Sequence, residues 1–199
     1  MLIPDILDTF RDLLEQARAA GDPEPTAMTL ATRDGAGRIA ARIVLLKDVD
    51  ARGFCFYTNY DSAKGAELDA YPQAALCFHW KTAGDPAAGG VQVRVEGEVA
   101  RLGAAESDAY FATRPRGSQI GAWASLQSQT LPDREAFDAR VARYEREFAG
   151  REVPRPPHWG GYRVEADAVE FWYGAQHRLH QRVRWEWRDG AWTRRLLYP

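Results

Sequence analysis

The sequence predicts a mainly β protein with peripheral helices. Three observations lead there. Strand-like segments follow one another through short turns, and helical patterns separate only some of them, without strict strand–helix alternation. Neither G-x-G-x-x-G nor GxxxxGK followed by Ser or Thr occurs, so the phosphate loops of doubly wound sheets are missing. Late segments alternate apolar and charged residues with period two, as half-buried antiparallel strands require. With 199 residues, one domain covering 1–199 is expected.

Pro4 to Ala20 reads as a helix. Ile6, Leu7, Phe10, Leu13, Leu14 and Ala17 recur at three and four, Gly21 stops the pattern, and Pro23 and Pro25 forbid continuation. Ala27 to Thr32, a turn at Asp34 to Gly37, and Arg38 to Leu46 read as a β-hairpin. Gly53 to Asn59 is a strand, Ser62 caps a short helix over Ala63 to Ala70, and Gln73 to Trp80 is another strand. Ala83 to Gly90 is a loop. Val91 to Leu102 alternates, with Val91, Val93 and Val95 opposite Gln92, Arg94 and Glu96.

Helices are expected over Ala104 to Thr113 and over Asp133 to Ala149, the second with Phe137, Val141, Tyr144 and Phe148 as its apolar stripe. Pro154, Pro156 and Pro157 form a rigid connector. Gly161 to Val164, Ala168 to Tyr173, Gln181 to Trp187 and Ala191 to Leu197 close the chain as strands, with Asp189-Gly190 as a hairpin turn. Val183, Trp185 and Trp187 are expected to face away from Arg182, Arg184, Glu186 and Arg188.

Composition excludes several classes. A net charge of −2 gives no electrostatic case for nucleic acid. No apolar run reaches membrane-spanning length, no basic and apolar leader opens the chain, and a cytoplasmic location is expected. Cys55 and Cys77 sit in apolar contexts and are expected as free thiols. Aromatic residues make up 12%, with seven Trp, material for a large core, a flat-ligand site or an interface.

The densest chemistry lies in Glu170–Arg182, EFWYGAQHRLHQR. If the chain after Gly174 is extended, Arg178, His180 and Arg182 leave one face of a strand, beside the aromatic run Phe171 to Tyr173. That pattern fits two readings: a site for an anion and a polar ring, or an amphipathic edge strand with solvated arginines. Arg42 and Lys47 end an apolar strand, RIVLLK, either as flanking gatekeepers or as ligand contacts. Their separation points them to opposite faces, so that one shared ligand would need a bulge or bend. Tyr57-Thr58-Asn59 feeds a helix N-terminus carrying Ser62 and Lys64, where an anion can be held. Tyr110, Arg114 and Ser118 follow at steps of four and share one helical face if the helix bends past Pro115. His177 and His180 make an HxxH pair, but no acid or Cys stands near at ligand spacing and no metal is expected.

These motifs together, from about residue 26 to the C-terminus and in unchanged order, resemble the pyridoxamine 5′-phosphate oxidases. The matching runs are RIVLLK, YTN-xx-S-x-K, QVRVEG, YF-x-x-RP-x-x-SQIGAW-x-S-x-QS and EFWxGxxxRLHxR. The resemblance implies an FMN-binding split β-barrel that works as a homodimer, with residues 157–199 as the substrate and dimerisation segment. It implies oxidation of pyridoxamine or pyridoxine 5′-phosphate to pyridoxal 5′-phosphate, with hydride passing to FMN and dioxygen reoxidising it to give hydrogen peroxide. FMN contacts are implied for Arg42, Ile43, Val44, Leu45, Leu46, Lys47, Tyr57, Thr58, Lys64, Gln92, Gln127, Ser128, Trp172 and Arg182. Substrate phosphate is implied for Lys47, Tyr110, Arg114 and Ser118, and the substrate ring for Arg178 and His180, the implied catalytic pair. Three departures stand out: Ala63 replaces a frequent second basic residue, no Arg-x-x-Tyr lid precedes Pro4, and the chain ends LLYP where the family usually reads LxP with a small residue. Rival readings are a related FMN oxidase on another aromatic acid, as in phenazine pathways, and a non-catalytic carrier of FMN or pyridoxal phosphate.

Overall fold

Hairpin chemistry sets the first pairing. The Asp34 carboxylate accepts the backbone N–H groups of Ala36 and Arg38 and the Arg38 Nε–H at 2.7–2.9 Å, and Gly37 takes a positive φ of 82° to close the turn. The computed structural model describes the backbone of residues 1–199 and every side chain except that of Pro86. Its strands are β1 (Ala27–Arg33), β2 (Ile39–Leu45), β3 (Asp48–Asp50), β4 (Gly53–Asn59), β5 (Gln73–Trp80), β6 (Val91–Arg101), β7 (Trp159–Tyr173), β8 (Gln181–Arg188) and β9 (Ala191–Leu197). The helices are α1 (Pro4–Ala19), α2 (Ala63–Ala70), α3 (Ala104–Thr113), α4 (Arg116–Ala124) and α5 (Arg134–Glu147). All strand pairs are antiparallel, in the order β2-β1-β5-β6-β7-β4-β3, with β8 on β7 and β9 on β8.

The two ends of that order meet. The chain leaves β2 through Leu46 and Lys47, whose N–H groups bond Thr26 O (2.8 Å) and Cys55 O (2.9 Å), and enters β3 beside β4. The sheet therefore curls on itself. β3 is a strand the sequence did not announce: Asp48-Val49-Asp50 is short and acidic, and only its pairing with Gly53–Cys55 makes it one. α1 lays its apolar face on the interior, where Phe10 meets Phe54 and Phe78 edge-on at 4.9 and 5.1 Å. A second, smaller core joins Phe111, Ile120, Phe148, Val153 and Trp159 between α3, α4, α5 and the start of β7. Cys55 and Cys77 are free. No helix is long and apolar enough to cross a membrane.

Three expectations need correction. β7 is one strand of 15 residues, where two short strands were expected around the polar Glu165–Asp167. β6 pairs along its whole length and absorbs the polar segment at a bulge between Glu96 and Gly97. Gly97 is required there, because a Cβ would lie 2.1 Å from the Glu165 carbonyl oxygen. The opposite edge of β7 is shared, β4 taking its first half and β8 its second.

The second correction is that Tyr110 to Ser118 is no bent helix. α3 ends at Thr113, Arg114 and Pro115 are extended (ψ 145° and 141°), and α4 restarts at Arg116. Proline disfavours helical backbone at the residue before it, which is Arg114. Third, alternation fails late in β8. Glu186 is buried at 9% exposure, while Trp187 is 43% exposed. Glu186 is held inside by Arg184 and Arg195 at 2.7 and 3.0 Å. α5 keeps Phe148 buried beyond its end, but Phe137, Val141 and Tyr144 are only half-buried.

Candidate functional site

The seam between the two cores opens as a cavity of about 680 Å³. The end of β2, the end of β4, the first turn of α2, the α3–α4 break and the start of β7 wall it. Among the residues singled out in the sequence, Lys47, Tyr57, Thr58, Lys64, Tyr110, Arg114, Ser118 and Gln127 line it, with Ile43, Val44 and Leu45 from β2. The α3–α4 break explains how Tyr110, Arg114 and Ser118 converge without one helical face: the extended Arg114-Pro115 link turns α4 across the cavity mouth.

Ser62 caps α2 through the Gly65 N–H at 3.3 Å, and its hydroxyl donates to Asn59 O at 2.7 Å. The cap brings Lys64 over the cavity. Its Nζ reaches Thr58 Oγ1 and Ser62 Oγ at 3.2 Å and Gln127 Oε1 at 3.3 Å, three neutral oxygens. Burial, and then the neighbouring Arg42 charge, hold its pKa below the ordinary lysine range. Ser128 is held in a left-handed conformation (φ 74°), and its Oγ accepts the Ala63 N–H at 3.1 Å.

Arg114 is the second exposed need. Burial lowers its pKa, Nη1 is buried without a partner, and its guanidinium lies 4.5 Å from the centre of the Trp159 ring. Burial also raises the hydroxyl pKa of Tyr110, and that of Tyr57 to about 12, so both remain donors at neutral pH. Among the described residues no carboxylate forms an ion pair with Lys47, Lys64 or Arg114. Lys64 and Arg114, half-buried and bonded to no carboxylate, attract an oxyanion, and the exposed Lys47 adds a third cation.

Arg42 is elsewhere. It is absent from the cavity lining, and its guanidinium bonds Glu67 Oε2 at 2.9 Å and also Thr32 Oγ1, near enough to Lys64 to be felt there. Leu46 is 4% exposed and belongs to the main core.

Gln92, Trp172 and Arg182 form a separate group, and strand register explains it. Gln92 pairs with Trp172 and Trp172 with Arg182, so the three lie in one row across β6, β7 and β8. The next row is Arg94, Glu170 and Arg184. Glu170 is 2% exposed, and its Oε1 accepts Arg182 Nε–H at 2.8 Å. Arg182 Nη1 donates to Tyr198 O at 3.1 Å.

The extended reading of Arg178 to Arg182 fails. Gln176–Arg178 form a tight turn, His177 and Arg178 have φ values of 57° and 61°, and β8 begins only at Gln181. His180 folds back on Trp172, ring centres 4.4 Å apart, and its Nδ1 accepts the Ala175 N–H at 3.2 Å. Arg178 is exposed.

Trp159 of the cavity and Trp172 of the row stand at opposite ends of β7, separated by roughly 40 Å of strand contour. One chain does not join the two groups. Two participants escaped the sequence reading, Trp159 and Glu170. A cue for Trp159 was present in Trp159-Gly160-Gly161: a Cβ on Gly161 would meet Tyr57 at 2.7 Å, so the glycines let rings lie on that backbone.

A family model described as pyridoxamine 5′-phosphate oxidase matches residues 10–147, and one described as the pyridoxine 5′-phosphate oxidase C-terminal dimerisation region matches residues 159–199. The pyridoxine/pyridoxamine 5′-phosphate oxidase of Xanthomonas euvesicatoria pv. vesicatoria (strain 85-10) is 56% identical over 200 residues, covering 100% of this chain and 98% of that protein. The one of Myxococcus xanthus (strain DK1622) is 53% identical over 199 residues, covering 100% and 94%. Among solved structures, PhzG from Burkholderia lata 383 in complex with tetrahydrophenazine-1-carboxylic acid superposes with a TM-score of 0.90 at 32% identity, covering 100% of this chain and 98% of that one.

Proposed function

The chain belongs to the pyridoxamine 5′-phosphate oxidase family and has its split-barrel fold, and on that premise we propose that it oxidises pyridoxamine or pyridoxine 5′-phosphate to pyridoxal 5′-phosphate, with FMN as cofactor and dioxygen as acceptor. The observation that carries this reading is the cavity whose cations lack any acid partner. FMN fits: Lys64, with Thr58, Ser62 and Gln127 around its ammonium, offers one phosphate's worth of donors, with Ser128 and the start of α2 adjacent. Arg42, ion-paired to Glu67, adds positive potential beside Lys64. When bound, FMN supplies hydride acceptance and return of the electrons to dioxygen.

The remaining work belongs to the chain. Lys47, Tyr110, Arg114 and Ser118 anchor the substrate phosphate, and this remote binding orients the C4′ carbon. Gln92, Trp172 and Arg182 present one row of polar and flat groups to the flavin ring. His180, with Nδ1 taken by the Ala175 N–H, keeps Nε2–H to donate to a polar ring substituent. Arg178 covers the substrate ring. The two groups unite in a homodimer, where the row of one copy closes the cavity of the other.

A second reading, oxidation of a phenazine-type aromatic acid, draws on the likeness to PhzG. Four donors grouped for one phosphoryl head favour the phosphate ester over it. Turnover of pyridoxine 5′-phosphate with peroxide detection tests the choice, alongside the flavin released on denaturation and light scattering of the loaded protein. The proposal expects peroxide, FMN and a dimer. Absence of turnover, with tetrahydrophenazine-1-carboxylic acid oxidised instead, would replace it with the second reading.

A further inference from the structure

Trp159 has no role in the binding sets above, yet it touches every aromatic and cationic group on one wall of the cavity. It is 6% exposed at the start of β7. Its ring is stacked on Tyr57 (5.5 Å, 11°), which is stacked on Tyr110 (4.0 Å, 18°), and Phe111 closes its edge at 5.1 Å. The Arg114 guanidinium lies over the same ring at 4.5 Å. Backbone bonds fix the platform: Trp159 N–H donates to Pro156 O at 3.1 Å, and Arg155, itself paired with Asp108 at 2.6 Å, donates to Trp159 O at 2.6 Å.

A buried arginine is ordinarily steadied by a carboxylate, as Arg182 is by Glu170. A carboxylate would occupy the guanidinium fork and cancel its charge. A ring face holds the cation through its quadrupole and uses none of the N–H donors. Arg114 keeps a buried Nη1 unpartnered. We propose that Trp159 is a positioning residue that holds Arg114, and through Tyr57 the Tyr110 hydroxyl, ready for a dianionic phosphate monoester, and so sets the preference for phosphorylated over unphosphorylated substrate. The proposal rests on the assignment of Arg114 and Tyr110 to the substrate phosphate.

The test is a double-mutant cycle on the FMN-loaded protein, comparing Trp159→Leu, Arg114→Ala and the pair. KM and kcat are measured for pyridoxine 5′-phosphate and for pyridoxine, together with competition by inorganic phosphate. Trp159→Leu should raise KM for the ester about tenfold. It should leave kcat and the KM for pyridoxine within about twofold, and weaken phosphate competition in parallel. In the Arg114→Ala background the same substitution should cost clearly less than in the parent, the remainder being what the Tyr110 hydroxyl carries. Trp159→Phe retains a ring face, should give a smaller rise with the same dependence on Arg114, and carries the test if the leucine variant does not fold. Equal losses for both substrates, or additivity with Arg114→Ala, would assign Trp159 to packing alone and overturn the proposal. If Arg114→Ala leaves KM for the ester unchanged, the phosphate assignment itself falls, and this inference with it.

Discussion

The cavity and the strand row handle positive charge in opposite ways. In the cavity, Lys64 faces three neutral oxygens and Arg114 lies over a ring, with no acid bonded to either. On the row's face the strand arginines are matched: Arg182 by Glu170 at 2.8 Å, Arg184 by Glu96 at 3.0 Å and Glu186 at 2.7 Å, and Arg94 by Glu96 at 2.5 Å. The matched face is complete as folded. The unmatched one carries a desolvation cost that only a bound anion relieves. A site of this kind trades stability for affinity, and the trade can be measured on each side.

The largest contrast is in stability. Removing one partner of a buried, paired group leaves the others uncompensated, so Glu170→Ala should cost about 3–5 kcal/mol in urea unfolding. Arg114→Met in the ligand-free protein removes a charge that no partner repays, and should stay within about 1 kcal/mol of the parent or exceed it. Equal losses would erase the distinction between the two regions.

Function should divide the same way. Arg178 is exposed and belongs to the row side, so Arg178→Ala should keep FMN while kcat/KM for pyridoxine 5′-phosphate falls about 10²-fold, without rescue by added FMN. Lys64→Ala should weaken FMN binding by about one to two decades, with turnover restored at saturating FMN. Flavin fluorescence titration alongside steady-state kinetics separates the two patterns. Loss of FMN from Arg178→Ala with normal turnover at saturation would reverse the assignment.

The smallest effect is in pH, and its window differs between the regions. Hydrogen bonds from Arg184 and then Arg94 hold the Glu96 carboxyl below its usual 4.5. Its contribution is complete above that value and is lost as pH falls through the depressed pKa, so Glu96→Gln should flatten the acid side of the stability profile. Lys64 is also displaced downward, below its usual 10.5, but chiefly by burial, which disfavours its charged form where pairing favours that of Glu96. The unfolded chain therefore holds its proton more tightly, and this group lets the ligand-free protein gain stability as pH rises through the window below 10.5. FMN affinity should fall over the same window. Urea midpoints across pH, with and without FMN, check both windows.

Local rules were legible along most of the chain. Ser62 with Ala63–Ala70, the Asp34 turn and the β6 alternation each follow from short-range chemistry, and each stands where the sequence puts it. What sequence could not show depends on pairing between distant segments. Glu165–Asp167 looks like a break until β6 bulges to hold it, and Gln92 joins Trp172 and Arg182 only through strand register. Spacing also misled where proline intervened. Tyr110, Arg114 and Ser118 do converge, by a broken helix and not a bent one. Arg178, His180 and Arg182 would share one strand face only if the segment were extended, and positive φ values at His177 and Arg178 break that extension.

The unmatched cations are the centre of this account, and calorimetry reaches them most directly. The FMN-loaded protein and its Arg114→Ala variant are titrated with pyridoxal 5′-phosphate and with pyridoxal. The parent should bind the phosphorylated compound about 10²-fold more tightly or better, with most of that margin gone in the variant. Equal affinity of the parent for both compounds would contradict the claim that this cavity exists to receive a phosphate.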